Sequence, residues 1–126
     1  MMLLELALSL AVAQAGPALS PEIPELFRGE YNERLTDCGT GNNDSRLQVF
    51  RNRLEFYEAT AEVRGLIRHA DGSATIVADQ SEEGETRTNA YHLRLADGVL
   101  TITHPQTSEF AQMEVTRRRC PAGGSN

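Results

Sequence analysis

The sequence predicts an all-β domain: a small antiparallel up-and-down barrel of about eight strands, lipocalin-like or inhibitor-like, with one disulfide. Three observations predict it. From Leu26 onward apolar residues recur with a period of two rather than 3.6. Glycine-containing turn signals, above all Asp71-Gly72 and Asp97-Gly98, divide that pattern at hairpin spacing. Cys38 lies just beyond the first expected strand and Cys120 ends the last, and in a closed meander those strands are neighbours. A sandwich would also bring the cysteines together. A barrel is preferred because closure removes exposed strand edges.

The first strand alternates Phe27, Gly29 and Tyr31 with Arg28, Glu30 and Asn32. Asp37 to Ser45 is a polar, glycine-rich loop. Leu47 and Val49 mark a second strand, with Arg46 and Gln48 on its other face, and Arg51-Asn52 is a tight-turn candidate. On a third strand Leu54, Phe56 and Glu58 share one side. The fourth sets Ala61, Val63, Gly65 and Ile67 against Glu62, Arg64, Leu66 and Arg68. Asp71-Gly72 suits a type I′ turn into the strand Ala74 to Asp79. After an acidic loop, Gln80 to Glu85, a longer strand from Thr86 to Leu95 places Tyr91, Leu93 and Leu95 together. Asp97-Gly98 turns into Val99 to Thr103, with Leu100 and Ile102 inward, and His104-Pro105 breaks that strand. The last strand runs from about Gln112 to Arg119, with Met113 and Val115 on its core side. The expected inward set includes Phe27, Tyr31, Phe56, Ile67, Tyr91 and Leu93.

The chain has 126 residues, enough for one ordinary domain. Met1 to Ala13 is almost wholly apolar, and Ala13-Gln14-Ala15 offers a small-x-small cleavage pattern. Residues 1–15 are therefore expected to be a signal peptide, although no basic residue precedes the apolar run and Glu5 interrupts it. A true start upstream, or a short amphipathic helix, is the alternative. Residues 16–25 read as an extended leader, 26–120 as the barrel domain and 121–126 as a disordered tail. The apolar run is shorter than the roughly 20 residues a membrane-spanning helix needs, so no stable membrane insertion is expected after cleavage. A periplasmic or secreted location follows, and in that setting an even cysteine count favours a Cys38–Cys120 disulfide. Closing a loop of about 80 residues contributes up to about 4–5 kcal/mol in the chain-entropy picture. Two free thiols, or half of a zinc site, lack the close spacing that metal sites use.

Net charge is −6, which disfavours a nucleic-acid partner. All basic residues are arginine, which reflects either guanidinium recognition of anions or codon usage. Glu58, by parity, faces inward, where an unpaired carboxylate is costly. Arg117 and Arg119 share parity with Val115, so a buried ion pair of Glu58 with one of them is expected. It would set register and closure, or anchor a small ligand. The loop Asp37 to Asp44 has the oxygen atoms of a calcium loop but not the EF-hand spacing. Gly39-Thr40-Gly41 lacks the rest of a dinucleotide fingerprint. Asn43-Asp44-Ser45 matches a glycosylation sequon. The acidic run Ser81 to Glu85 is expected to be a solvated hairpin tip, and Arg117-Arg118-Arg119 alone makes no nucleic-acid face. His69, His92 and His104 fall on separate strands without i, i+2 pairing, so no metal site and no cofactor are expected. No nucleophile elbow, HExxH or unpaired cysteine marks a catalytic centre.

The aromatic-x-Gly-x-aromatic opening Phe27-Arg28-Gly29-Glu30-Tyr31, a following cysteine, the strand Leu54-Glu55-Phe56-Tyr57-Glu58, the hairpin Gly84-Glu85 and the ending Arg118 to Pro121 form a series. In that series the chain resembles small periplasmic or secreted bacterial β-barrel proteins of unassigned function. More distantly, its architecture is similar to exported inhibitors of lysozyme and of metalloproteases, without the inhibitory loop motif of either. The resemblance implies an exported, non-enzymatic binding protein. Its partner would be a protein met through the loops, as in inhibition of a hydrolase. A small-molecule carrier using the interior is the alternative, and an enzyme with an unfamiliar site ranks last.

Overall fold

The structure, a computed structural model, describes residues 21–41, 43–104 and 114–121. Eight strands follow in chain order: β1 (Gly29–Asn32), β2 (Leu47–Val49), β3 (Arg53–Glu55), β4 (Thr60–Arg68), β5 (Ala74–Glu82), β6 (Glu85–Ala96), β7 (Val99–Thr103) and β8 (Glu114–Arg119). Each is antiparallel to its sequence neighbours, and β8 returns to pair with β1, so the sheet is a closed barrel and not a sandwich. No α-helix occurs among the described residues, and none of their helices is long and apolar enough to cross a membrane. The Cys38–Cys120 disulfide is formed.

The interior is built by alternation. Tyr31, Leu47, Leu54, Ile76, Leu93 and Leu100 are almost wholly buried, with Val49, Tyr91 and Ile102 close behind. Phe56, Val63, Leu66, Leu95 and Val115 pack against this set. The expected signal peptide and the first half of the leader lie outside the described residues, as do Met113 and the tail beyond Pro121. The end of the leader is packed. Ile23 is fully buried, and its N–H donates to the Arg51 carbonyl at 2.7 Å. Glu25–Phe27 form a 3-10 turn where the first strand was expected to begin. That turn breaks strand parity, leaving Leu26 half exposed while Phe27 is buried. Tyr31 then donates its hydroxyl proton to the Phe27 carbonyl at 2.8 Å, tying the packed segment to β1.

β4 departs from simple alternation. Its register with β5 shifts between Val63 and Gly65, so Arg64 is the extra residue of a bulge. Before the bulge Ala61 and Val63 face the core, and after it Leu66 does, opposite Ile76. Ile67, expected inward, is therefore turned out and 61% exposed. A single inserted residue reverses every side chain that follows it.

The turns also differ from expectation. Asp97 and Gly98 both have positive φ, as a type I′ loop requires. At Asp71-Gly72 only Gly72 does, because the loop holds three residues between His69 and Ser73. Asp71 instead accepts from the Ser73 N–H and hydroxyl. The expected acidic loop Gln80 to Glu85 is mostly strand: β5 and β6 pair as far as Glu82 with Glu85, around a two-residue turn. Glu83 in that turn has φ of 52°, a conformation that disfavours an L side chain.

Three stability differences test this architecture. Phe27→Ala should destabilise by about 3–5 kcal/mol, as for a buried aromatic. Leu66→Ala should cost clearly more than Ile67→Ala, which should stay within about 0.5 kcal/mol as surface changes do. Urea unfolding of the variants measures both, and a larger loss at position 67 than at 66 would overturn the bulge assignment.

Candidate functional site

The barrel closes by a short ladder. β1 and β8 pair only at Tyr31 with Arg119 and Asn32 with Arg118. Just beyond, the Cys120 N–H donates to the Glu30 carbonyl at 2.8 Å. Where these strands part lies a groove of about 780 Å³, lined by Gly29, Gln48, Val49, Phe50, Arg119 and Pro121 among others. Gly29, with φ of 140°, is in a region that favours glycine. Arg119 lies over its bare backbone: a Cβ there would sit 3.7 Å from the guanidinium nitrogens. The Arg119 Nη2 donates to the Arg28 carbonyl at 2.5 Å, and its guanidinium carbon is 5.6 Å from the centre of the Tyr31 ring.

The disulfide rests on a polar network behind this seam. Asn32 is fully buried, and its Nδ2 donates to the Glu30 carboxylate at 2.9 Å and lies 3.2 Å from the Cys120 sulfur. Its Oδ1 accepts from Asn43 Nδ2 at 3.0 Å. The Glu30 carboxylate also accepts from the Gly39 N–H, with Arg46 Nε at 3.7 Å. The oxygen atoms weighed as calcium ligands are used within the loop. Asn43 Oδ1 accepts from the Ser45 N–H and hydroxyl, and the Asp37 carbonyl accepts from Thr40 Oγ1. Asn42 lies outside the described residues.

Glu58 does not meet either arginine. β3 ends at Glu55, and Phe56 to Ala59 form a tight turn in which the Phe56 N–H donates to the Ala59 carbonyl at 2.8 Å. The turn ends the alternation, so Glu58 is exposed and the expected buried ion pair is absent. Arg117 and Arg119 do lie opposite core residues, Leu100 and Tyr31. They satisfy their guanidinium groups with backbone oxygen: Arg117 Nε donates to the Ser45 carbonyl at 2.7 Å. Closure thus uses arginine as expected, but against the carbonyl of Arg28, just before β1, and that of Ser45 in the loop after it, instead of a carboxylate.

Toward the other end of the barrel, Tyr91 stacks between His104, at 5.1 Å between ring centres, and Phe56, at 6.2 Å. Its hydroxyl donates to Gln80 Oε1, which also accepts from Asn89 Nδ2 at 2.9 Å. This inward polar group is satisfied by its own members. The other two histidines, expected to be separate, are brought together: His69 and His92 lie 5.4 Å apart between ring centres on the outer face. Among the described residues no three of His, Cys, Asp and Glu gather closely enough to hold a metal ion. Asp79 and Asp71 are held below the usual carboxylate range. For Asp79 the cause is hydrogen bonding to Thr88 and then to Arg64, and for Asp71 it is hydrogen bonding to Ser73. Both serve strand and turn and lie outside the groove.

No family model, no curated protein and no solved structure matches the chain. The groove at the closing seam and the paired histidines are features that sequence spacing did not show. The groove depends on where two strands separate, and the histidine pair on register across three strands.

Two measurements check this site. Asn32→Ala should cost about 1–3 kcal/mol by leaving buried partners unsatisfied, whereas Glu58→Ala should leave the melting curve unchanged. Burial pushes the Tyr31 and Tyr91 hydroxyls above their ordinary value. Because the folded protein holds these protons more tightly than the unfolded chain, their contribution is full below pH about 10. It falls as pH rises through the folded-state values. Ultraviolet titration of the Tyr57→Phe protein, which lacks the exposed tyrosine, should show Tyr31 and Tyr91 ionising together with alkaline unfolding. Their reversible ionisation at pH about 10 in the folded state would contradict the burial.

Proposed function

We propose that this chain is an exported, non-enzymatic barrel that binds a protein partner with its outer surface, in the manner of an inhibitor. The observation that carries this reading is the filled interior. Ile23, Phe27, Tyr31, Leu54, Ile76, Leu93 and Leu100 occupy the space a carrier would offer to a ligand. An eight-stranded barrel encloses room for side chains or for one small molecule. Here side chains from the strands and from the segment before β1 take that room. Among the described residues, a groove open to solvent lies at the seam between β1 and β8. Its floor joins apolar surface from Val49 and Phe50 to the Arg119 guanidinium, a combination suited to an extended peptide segment with an apolar side chain and a carboxylate.

Export is supported by the disulfide, which persists in oxidising compartments, together with the apolar Met1 to Ala13 segment.

The test combines capture with a blocked groove. Immobilised protein should retain one partner reproducibly from an extract of its source's exported proteins, and Gln48→Trp, which fills the groove, should abolish retention. Arg87→Trp, on the protruding β5–β6 hairpin, should not. Retention unaffected by Gln48→Trp would remove the groove from the interface. A small apolar molecule recovered at one per chain by native mass spectrometry would favour the carrier instead.

A further inference from the structure

We propose that His69 and His92 form a two-imidazole site for a borderline divalent cation, of the class of Zn²⁺, Ni²⁺ and Cu²⁺. The register creates it. Thr75 on β5 pairs with His92 on β6 and, on its other side, with Ile67 on β4. The bulge turns Ile67 outward, and His69, two residues further on, continues that face where its N–H donates to the Ser73 carbonyl. Two histidines 23 positions apart in sequence thereby lean toward each other over a central strand.

Their nitrogens converge on one atom. His69 Nε2 is 2.7 Å from Thr75 Oγ1, and Thr75 Oγ1 is 3.1 Å from His92 Nδ1. A hydroxyl has one proton, so it donates to only one of the two nitrogens, and the other ring must carry a proton toward the oxygen. Metal binding replaces this arrangement. The ring that carries its proton toward the oxygen shifts it, through solvent, to its other nitrogen, and the threonine hydroxyl turns to water. Both freed lone pairs meet the ion while each imidazole stays neutral. Bonds of about 2.0–2.1 Å to each nitrogen require the rings to close in by about an ångström, which their position on the outer face permits. Water completes the coordination.

The donor set decides the class of ion. Imidazole suits Zn²⁺, Ni²⁺ and Cu²⁺, whereas Ca²⁺ and Mg²⁺ need several oxygen ligands, and the oxygen between the rings is a single neutral hydroxyl. The cysteines are joined to each other and supply no thiolate. His104 belongs to the opposite face of the sheet, against Tyr91, and serves as an internal control.

The experiment uses the full oxidised chain without a histidine tag. Calorimetric titration should find one Zn²⁺ per chain. Removing even an outer partner of a metal ligand costs about 10–100-fold, so His69→Gln and His92→Gln should each weaken binding at least about tenfold. His104→Gln should bind as the parent does. Substoichiometric Cu²⁺ added to the unaltered protein should broaden the ring resonances of His69 and His92 before those of His104, which separates loss of a ligand from loss of fold. The proposal is overturned if Zn²⁺ does not bind at millimolar concentration, if binding survives both substitutions, or if His104 broadens first.

Discussion

Closure of the sheet at β1 and β8 is the constraint on which the molecule depends. Every other strand pairing joins segments that follow one another in the chain. The closing ladder joins residues 86 and 88 positions apart yet contains only two residue pairs. Loop closure over that length costs entropy before any contact rewards it, and two pairs are a small reward. The Cys38–Cys120 bond stands beside this ladder, with a sequence separation of 82. It removes much of that entropy from the unfolded chain rather than adding attraction to the folded one. Asn32 links the two effects, since the residue that pairs with Arg118 also donates toward the Cys120 sulfur and the Glu30 carboxylate.

The small size of the barrel sets what it can do. Short strands β1 to β3 and the long hairpins of β4 to β6 give a sheet whose inner face is taken up by its own side chains. The segment at Ile23 to Phe27 adds three more buried residues, Ile23, Pro24 and Phe27, and is held by hydrogen bonds to Arg51 and Tyr31. Stability and accessible interior are in competition at this size. Filling the barrel supplies a core of ordinary density and moves any recognition to the outside. The long hairpin shows the same division. From Ser81 to Thr88 both faces meet solvent, and the side chains there are serine, threonine, glutamate and arginine.

Much of this architecture was legible from the residues. The period of two located all eight strands, and the placement of the cysteines at the ends of the meander gave the closing bond. What was not legible has a common physical origin. Alternation carries direction along a strand only while nothing interrupts it. The Phe56–Ala59 turn interrupted it before Glu58, and the extra residue at Arg64 interrupted it before Ile67. The turn has no local sequence signature, since no glycine or proline stands between Leu54 and Glu58; the bulge has a weak one in Gly65, which follows Arg64 inside the strand. Polarity misled in the same way at Gln80 to Glu85. A hairpin that extends beyond the core needs no apolar face, so it reads as a loop.

Cross-strand neighbours are harder still, because register rests on the centre of each turn. All paired residues of β5 and β6 are centred on the bond between Glu83 and Gly84, so recognising that turn would have set His92 opposite Thr75. Those of β4 and β5 are centred on Asp71 from Gly65 to Arg68, and slip by one on the far side of the bulge. The turn at Asp71 sets the register of the end of β4 that leads to His69, and the bulge reconciles that end with the opposite parity of Thr60 to Val63. Two turns, each set by one positive-φ glycine, therefore determine which side chains meet over Thr75. Adding or removing one residue in either turn would shift its pairing by one and exchange the outer face for the inner one. Buried Ile76 would then face solvent, and the core itself holds the histidines in place.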